Sequence, residues 1–247
     1  EIGDYEVADF SGRLFSIDGR EVIWNCYTPI NDTEIDLLVG ALQEFNPDLI
    51  GFSLYSGIIK PNAEVTRRLR EHFDVPIIWG GAAPTLEPEL CIPHADILCI
   101  NEGEEVIVDL ANRIDAGLPW DDIPGTWVKT AGGEVLKHKN RPNIPLNDIA
   151  IPDWRRGNYI HIDGDRLVRG RFPLNLGKEY PIMTQRGCPF SCSFCIESRY
   201  QEMFGKKDSL RRRNIDVVLE ELHWAKDVLN IETVLFYDDV FTVNPQW

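Results

Sequence analysis

Apolar positions in the first 115 residues follow two alternating periods. Ile35, Leu38, Val39, Leu42 and Phe45 recur at three- and four-residue spacing, which predicts an amphipathic helix. Asn31-Asp-Thr-Glu34 offers capping groups ahead of it, and Pro47 ends it. Residues 48–54 then form a continuous apolar run, the pattern of a parallel strand buried on both faces. Val65, Leu69 and Phe73 mark a second helix, and residues 75–79 a second strand that ends in Gly80-Gly81. Residues 96–100 read as a third buried strand, followed by a helix whose face is Val106, Ile107, Leu110 and Ile114. Residues 5–10 read as a short strand at the start. Strands alternating with amphipathic helices predict an α/β domain, a flavodoxin-like, doubly wound parallel sheet spanning 1–118.

The pattern changes after residue 118. Residues 119–152 are rich in Pro, Gly and Asn, and the runs 126–129 and 134–137 flank Ala131-Gly132-Gly133, a hairpin signal. Residues 151–180 are irregular, so 119–180 is expected to be an interdomain linker. Residues 181–184 make a short strand leading into a cysteine-bearing loop. Ile215, Val218, Leu219, Leu222 and Leu229 define a helix, and residues 233–237 a strand ending in Asp238-Asp239. Strand, loop, helix, strand is the opening of a parallel (β/α) barrel, whose active sites gather at the carboxyl ends of its strands. Residues 181–247 are therefore expected to be the first part of such a barrel.

Composition narrows the classes. At 43% hydrophobic over 247 residues, the chain can bury a sizeable core. No apolar run approaches the ~20 residues of a transmembrane helix, and no basic-then-apolar targeting pattern opens the sequence. The expectation is a soluble, cytoplasmic protein in a reducing compartment. The net charge is −15, of which residues 181–247 account for −2 and residues 1–180 for −13. That balance argues against a nucleic-acid partner, and the short run Arg211-Arg212-Arg213 is expected to be solvated.

Candidate chemistry concentrates in two places. Cys188, Cys192 and Cys195 stand at C-x-x-x-C-x-x-C spacing, preceded by Arg186-Gly187 and interleaved with Phe190 and Phe194. Thiolates are the usual ligands of iron–sulfur clusters, and three would leave one iron of a [4Fe–4S] cubane open. A structural zinc site is the weaker alternative, because it wants four ligands in two pairs. A disulfide framework does not suit so long a chain without a signal peptide. Cys26, Cys91 and Cys99 lie in apolar segments and read as buried thiols. The second place is the carboxyl ends of the predicted parallel strands, where ligands bind in such sheets. Small and polar groups cluster there: Ser53-Leu-Tyr55-Ser56, Gly80-Gly81-Ala-Ala-Pro84-Thr85 and Asn101-Glu102-Gly103-Glu104.

The cysteine loop, with an aromatic residue before its last cysteine, resembles that of the radical S-adenosylmethionine (SAM) enzymes. The three strand ends, in order upstream of it, resemble the cobalamin-binding domain of cobalamin-dependent members of that family. The resemblance implies a [4Fe–4S] cluster held by Cys188, Cys192 and Cys195, with SAM on the open iron and Phe194 near the cluster and adenine. It implies cobalamin at Ser53, Tyr55, Ser56, Gly80, Gly81, Pro84, Thr85, Glu102 and Gly103, with glycines admitting close approach and hydroxyls reaching the nucleotide tail. Asp238 and Asp239 would approach the methionyl amino group of SAM. Arg213 is a SAM-carboxylate contact or, in preference, a structural residue. In such families a 5′-deoxyadenosyl radical takes hydrogen from an unactivated carbon, and methylcobalamin can deliver a methyl group there. The implied activity is methyl transfer, with ring formation or rearrangement as the rival outcome and a non-enzymatic corrinoid- or metal-binding module as the other. The substrate is an unassigned small molecule or peptide, and the electron donor a flavodoxin or ferredoxin. No Asp-x-His-x-x-Gly loop occurs, and Tyr55 stands where the related Ser-x-Leu pattern has leucine. A full barrel has about six strand–helix units, so the chain is expected to be a fragment, lacking the first strand and helix at one end and most of the barrel at the other.

Overall fold

The computed structural model describes residues 13–17, 20–24, 30–152, 159–169, 178–206 and 210–243. The strand expected over 5–10 and Cys26 lie outside them. β1 (Arg13–Ile17) and β2 (Arg20–Trp24) form an antiparallel hairpin. α1 (Asp32–Phe45) begins as its capping residues dictate. The Asn31 side-chain oxygen accepts from Glu34 N–H, and the Glu34 carboxylate accepts from Asn31 N–H, both at 2.9 Å.

The central sheet has the order β3 (Ile50–Ser53), β4 (Ile77–Gly80), β5 (Ile97–Cys99), β6 (Thr126–Lys129), β7 (Val135–Lys137). β3, β4 and β5 are parallel, which requires helical crossovers between them. These are α2 (Ile59–Leu69) after β3, and the short α3 (Ala82–Leu86) and α4 (Pro88–Cys91) after β4. α5 (Glu104–Asp115) follows β5. Successive strand residues serve opposite faces. Ile77 and Trp79 join Ile35, Val39, Val65 and Leu69 in one core. Ile78 joins Ile97, Val106 and Leu110 in the other. Covering both faces is what lets 75–79 and 96–100 read as unbroken apolar runs. Trp79 is fully buried, with its indole N–H donated to Thr66 at 3.2 Å.

The hairpin expected inside the linker forms, but it is part of the first domain's sheet. β6 pairs antiparallel with β5, and β7 with β6. Its inward residues Thr126 and Val128 are buried while Trp127 and Lys129 are half-buried. Beyond it, β8 (Ile160–Asp163) and β9 (Arg166–Arg169) make a further hairpin, and Arg169 is ion-paired to Glu44 of α1.

The second unit is a parallel β/α pair. β10 (Glu179–Ile182) lies beside β13 (Thr233–Phe236), in register from Glu179↔Thr233 to Ile182↔Phe236. Between them come β11 (Gln185–Arg186), α6 (Ile196–Phe204), β12 (Arg211–Arg212) and α7 (Ile215–Leu229). β11 and β12 form a two-residue antiparallel ribbon, with Arg186 opposite Arg211. Tyr180, Ile182, Val218 and Ala225 form this unit's core. The buried face of α7 is turned from the expected one: Ile215 and Leu219 are exposed, whereas Glu221 is buried. Glu221 accepts from the Tyr180 hydroxyl at 2.7 Å and is ion-paired with Arg213. Arg213 is thus structural. No described helix is long and apolar enough to cross a membrane.

Candidate cofactor site

Because β3, β4 and β5 are parallel, their carboxyl ends open on one edge of the sheet. There they form one wall of a cleft of about 1010 Å³, at the upper end of the range for small-molecule sites. Gly51, Gly80, Gly81, Ala82 and Gly103 leave stretches of bare backbone on that wall, between the side chains of Phe52, Ser53, Ile78, Cys99, Asn101, Glu102, Glu104, Val106 and Ile107. The opposite wall comes from the cysteine-loop unit: Met183, Arg186, Gly187, Glu197, Tyr200, Phe204 and Asp239. Phe204 also packs against the first domain's core, which ties α6 to that domain.

Of the strand-end residues expected to meet a cofactor, Ser53, Gly80, Gly81, Glu102 and Gly103 line the cleft. Pro84 and Thr85 are buried behind it. The Thr85 hydroxyl donates to Gly81 O at 2.8 Å and accepts from Asn101 N–H at 3.0 Å. It therefore ties the β4 turn to the β5 turn, rather than reaching outward for a nucleotide tail. Tyr55 and Ser56 are exposed and lie outside the cleft lining. Gly81 has φ +95°, and a Cβ there would stand 2.7 Å from Leu54 O and 2.9 Å from Leu54 N. That glycine is required by the protein's own backbone. A Cβ at Gly80 would meet Cys99 Cβ at 3.5 Å and Phe52 O at 3.9 Å, and one at Gly103 only Cys99 Sγ at 3.6 Å. Burial, then the charge of Glu104, push the Cys99 thiol up to about 11. Burial, then Glu87, do the same to Cys91. Both are inert protonated thiols, as expected.

The cysteine loop is shaped by α6. The Gln201 side-chain amide donates to Cys188 O at 2.6 Å and Phe190 O at 2.9 Å, and its oxygen accepts from Ser191 Oγ at 2.9 Å. Ser198 Oγ donates to Cys192 O at 2.6 Å. Cys188 is buried, Cys195 half-buried and Cys192 exposed, and none is in a disulfide. Among the described residues, no three His, Cys, Asp or Glu side chains stand together as a ready metal cage. Still, three free thiols in an eight-residue loop, with its backbone already held, are a donor set that fits a three-ligand cluster. Phe194 is 92% exposed and outside the cleft lining.

The two aspartates at the end of β13 part company. Asp238 Oδ1 accepts from Thr184 N–H at 2.8 Å, Thr184 Oγ1 at 3.0 Å and Gln185 N–H at 2.6 Å. It clamps the end of β10 to the end of β13, putting the cysteine loop and Asp238 on one rim. Asp238 Oδ2 is buried without a partner among the described residues. Asp239 faces the cleft instead, its carboxyl pushed up by burial and by Asp238. Glu197 is raised by burial and by Asp239, against a hydrogen bond from the Cys188 backbone. Residues 211–213 are not solvated as expected. Arg211 pairs with Glu102, Arg212 donates to Gln185 Oε1 at 3.0 Å, and Arg213 pairs with Glu221.

Arg186, Glu197, Tyr200, Gln201 and Arg211 escaped sequence reasoning. One signal for three of them was present: positions 197, 200, 201 and 204 share one helix face directly after the last cysteine.

Residues 12–111 match the B12 binding domain family. Similarity to curated proteins runs on through the cysteine loop: an uncharacterized methyltransferase of Pyrococcus horikoshii is 29% identical over 213 residues, 82% of this chain and 42% of that protein. Beyond that domain the chain is similar to cobalamin-dependent radical SAM enzymes, among them the methyltransferase TokK of Streptomyces tokunonensis, 24% identical over 219 residues, 85% of this chain and 30% of that protein. An anaerobic magnesium-protoporphyrin IX monomethyl ester cyclase of Rubrivivax gelatinosus is 26% identical over 189 residues, 72% of this chain and 32% of that protein. The solved cobalamin-dependent SAM radical enzyme OxsB, with aqua-cobalamin and SAM bound, shares the fold: TM-score 0.61 and 22% identity over 85% of this chain and 28% of that one. The chain thus spans less than half the length of these proteins.

Proposed function

We propose that this chain is the cobalamin- and cluster-bearing portion of a radical SAM enzyme that transfers a methyl group to an unactivated carbon. The observation that carries the reading is the single cleft with two unlike walls. One wall is glycine-lined backbone at the ends of β3, β4 and β5, and the other is the flank of the three-cysteine loop. Glycines at the strand ends let a broad ligand come close to the backbone, and the small residues present there fit cobalamin. When bound, cobalamin supplies a transferable methyl group, and a cluster with SAM supplies a carbon-centred radical.

The protein's own part is positioning. Gly80 and Gly103 leave room along the corrin wall, and Gly81 lets the backbone turn behind it. Cys188, Cys192 and Cys195 would hold the cluster on a loop whose backbone Gln201 and Ser198 fix. Asp239, with Glu197 beside it, presents carboxylate to the cleft where an ammonium group of SAM would be met. Asp238 holds that rim in place. Met183, Tyr200 and Phe204 line the far side with apolar surface. A relative of the cyclase type shares much of this chain, so ring closure is the rival outcome and the product decides between the two.

The full-length protein, reconstituted anaerobically with iron, sulfide and hydroxocobalamin, should be reduced in the presence of SAM bearing a trideuterated methyl group. The expected result is label retained on protein-bound cobalamin together with release of S-adenosylhomocysteine. Formation of 5′-deoxyadenosine with no label on cobalamin would favour the cyclase-type outcome. Failure to retain cobalamin at all would overturn the reading.

A further inference from the structure

The Glu102-Gly-Glu104 turn does something its place at a ligand-binding strand end does not suggest. Glu102 Oε1 accepts from Arg186 Nη1 at 2.8 Å and also from Arg211. Glu102 Oε2 accepts from Ile144 N–H at 3.2 Å, while Arg211 Nη1 donates to Ile144 O at 2.7 Å. Glu104 is paired with Arg186. Arg186 and Arg211 face each other across the β11–β12 ribbon, two residues before the first cysteine of the loop. Like charges opposed on adjacent strands are unfavourable, so this ribbon depends on carboxylates brought from the other domain. Glu102 is only 15% exposed, and Arg211 21%. At such burial a charge-assisted pair is strong, and losing one partner is costly. Both carboxylates are thus engaged within the protein, Glu102 through both oxygens and Glu104 through Oε1, its Oε2 being buried without a partner among the described residues, and a neighbouring hydrogen bond, Asn101 Nδ2 to Asn143 Oδ1 at 2.6 Å, fastens the same turn to the same connecting segment.

We propose that Glu102 and Glu104 are positioning residues. Through Arg186 and Arg211 they latch the cysteine-loop strand onto the β5–α5 turn, and so fix the separation of the two walls of the cleft. This rests on the reading of those walls as the cobalamin and cluster sides. The latch itself is a property of the polypeptide, present with or without cofactors.

The test uses the full-length protein and the variants Glu102→Gln, Arg211→Gln, the double variant, and the conservative Arg211→Lys. Hydrogen exchange of residues 185–187 and 211–213 in the cofactor-free protein reads the latch directly. The expected result is exchange about tenfold or more faster in each single variant, no further gain in the double, and partial rescue by Arg211→Lys. Unchanged exchange, or additive gains in the double, would overturn the proposal. In the reduced holoprotein, broadening of the cob(II)alamin resonance signal by the cluster should diminish equally in Glu102→Gln and Arg211→Gln. Cobalamin affinity should shift by the same factor in both, within about twofold. A loss more than tenfold greater in Glu102→Gln than in Arg211→Gln would make Glu102 a cofactor ligand and overturn the latch. Should the unaltered protein bind no cobalamin, the functional reading fails, while the exchange result still decides the latch.

Discussion

Replacing Gly81 by alanine should destabilise the protein without any cofactor present. Gly81 has φ +95° and ψ −163°, a region that essentially only glycine adopts, at a cost of about 1–3 kcal/mol for other residues. The added Cβ would stand 2.7 Å from Leu54 O and 2.9 Å from Leu54 N. Those two atoms are already used: Leu54 N–H donates to Gly80 O at 2.8 Å, and Ala83 N–H donates to Leu54 O at 2.9 Å. Relieving the contact must stretch one of these bonds, at about 1 kcal/mol. The total is about 3 kcal/mol, a melting-temperature loss of roughly 6–12 °C for a chain of this size. Gly103→Ala is the control, because it too lines the cleft but has φ −97° and would meet only Cys99 Sγ at 3.6 Å. Its cost should stay within about 1 kcal/mol, the range for changes at a helix N-cap. Circular dichroism melts of the cofactor-free protein give both numbers. A Gly81→Ala protein that melts within a degree of the parent, or no lower than Gly103→Ala, would refute the backbone argument and return Gly81 to the cofactor.

Gln201→Ala should leave the fold intact but loosen the cysteine loop, seen as faster hydrogen exchange at 188–192 and at least a twofold lower iron content after reconstitution. Asp238→Asn weakens three hydrogen bonds that clamp β10 to β13, and a loss of about 1–3 kcal/mol is expected in urea titration. Burial raises the Glu104 carboxyl but the Arg186 hydrogen bond and the Arg186 and Arg211 charges outweigh it, so it sits below its ordinary 4.5. The folded state then binds fewer protons than the unfolded one there, so its stabilisation is complete above pH 4.5 and lost as pH falls through the lowered value. Glu104→Gln should flatten that acid limb, and an unchanged pH dependence would show that Glu104 does not contribute to it.

The elements were legible where one force dominated. Burial on both sheet faces wrote residues 75–79 and 96–100 as apolar runs, and the Asn31–Glu34 pair announced α1. The cysteine spacing carried its own chemistry. What the sequence hid were pairings between distant polar residues. Arg211-Arg212-Arg213 looks like a solvated run until β12 pairs with β11 and brings three different acceptors within reach. Glu221 broke the expected face of α7 because its buried partners, Tyr180 and Arg213, lie 41 and 8 residues away. Thr85 and Asp238 sit where ligand contacts are expected, yet Thr85 Oγ1 and Asp238 Oδ1 hold strand ends together. A polar residue near a site looks the same in sequence whether it faces the ligand or braces the wall behind it.

The central claim is that one cleft serves a corrin on one wall and a three-cysteine cluster on the other. Anaerobic reconstitution of the full-length protein, followed by metal and corrinoid quantitation on the same sample, tests it most directly. The account requires about four irons and one cobalamin per chain. Cys192→Ala should lose the iron but keep the cobalamin. Stoichiometric zinc in place of iron, or iron without cobalamin, would contradict it.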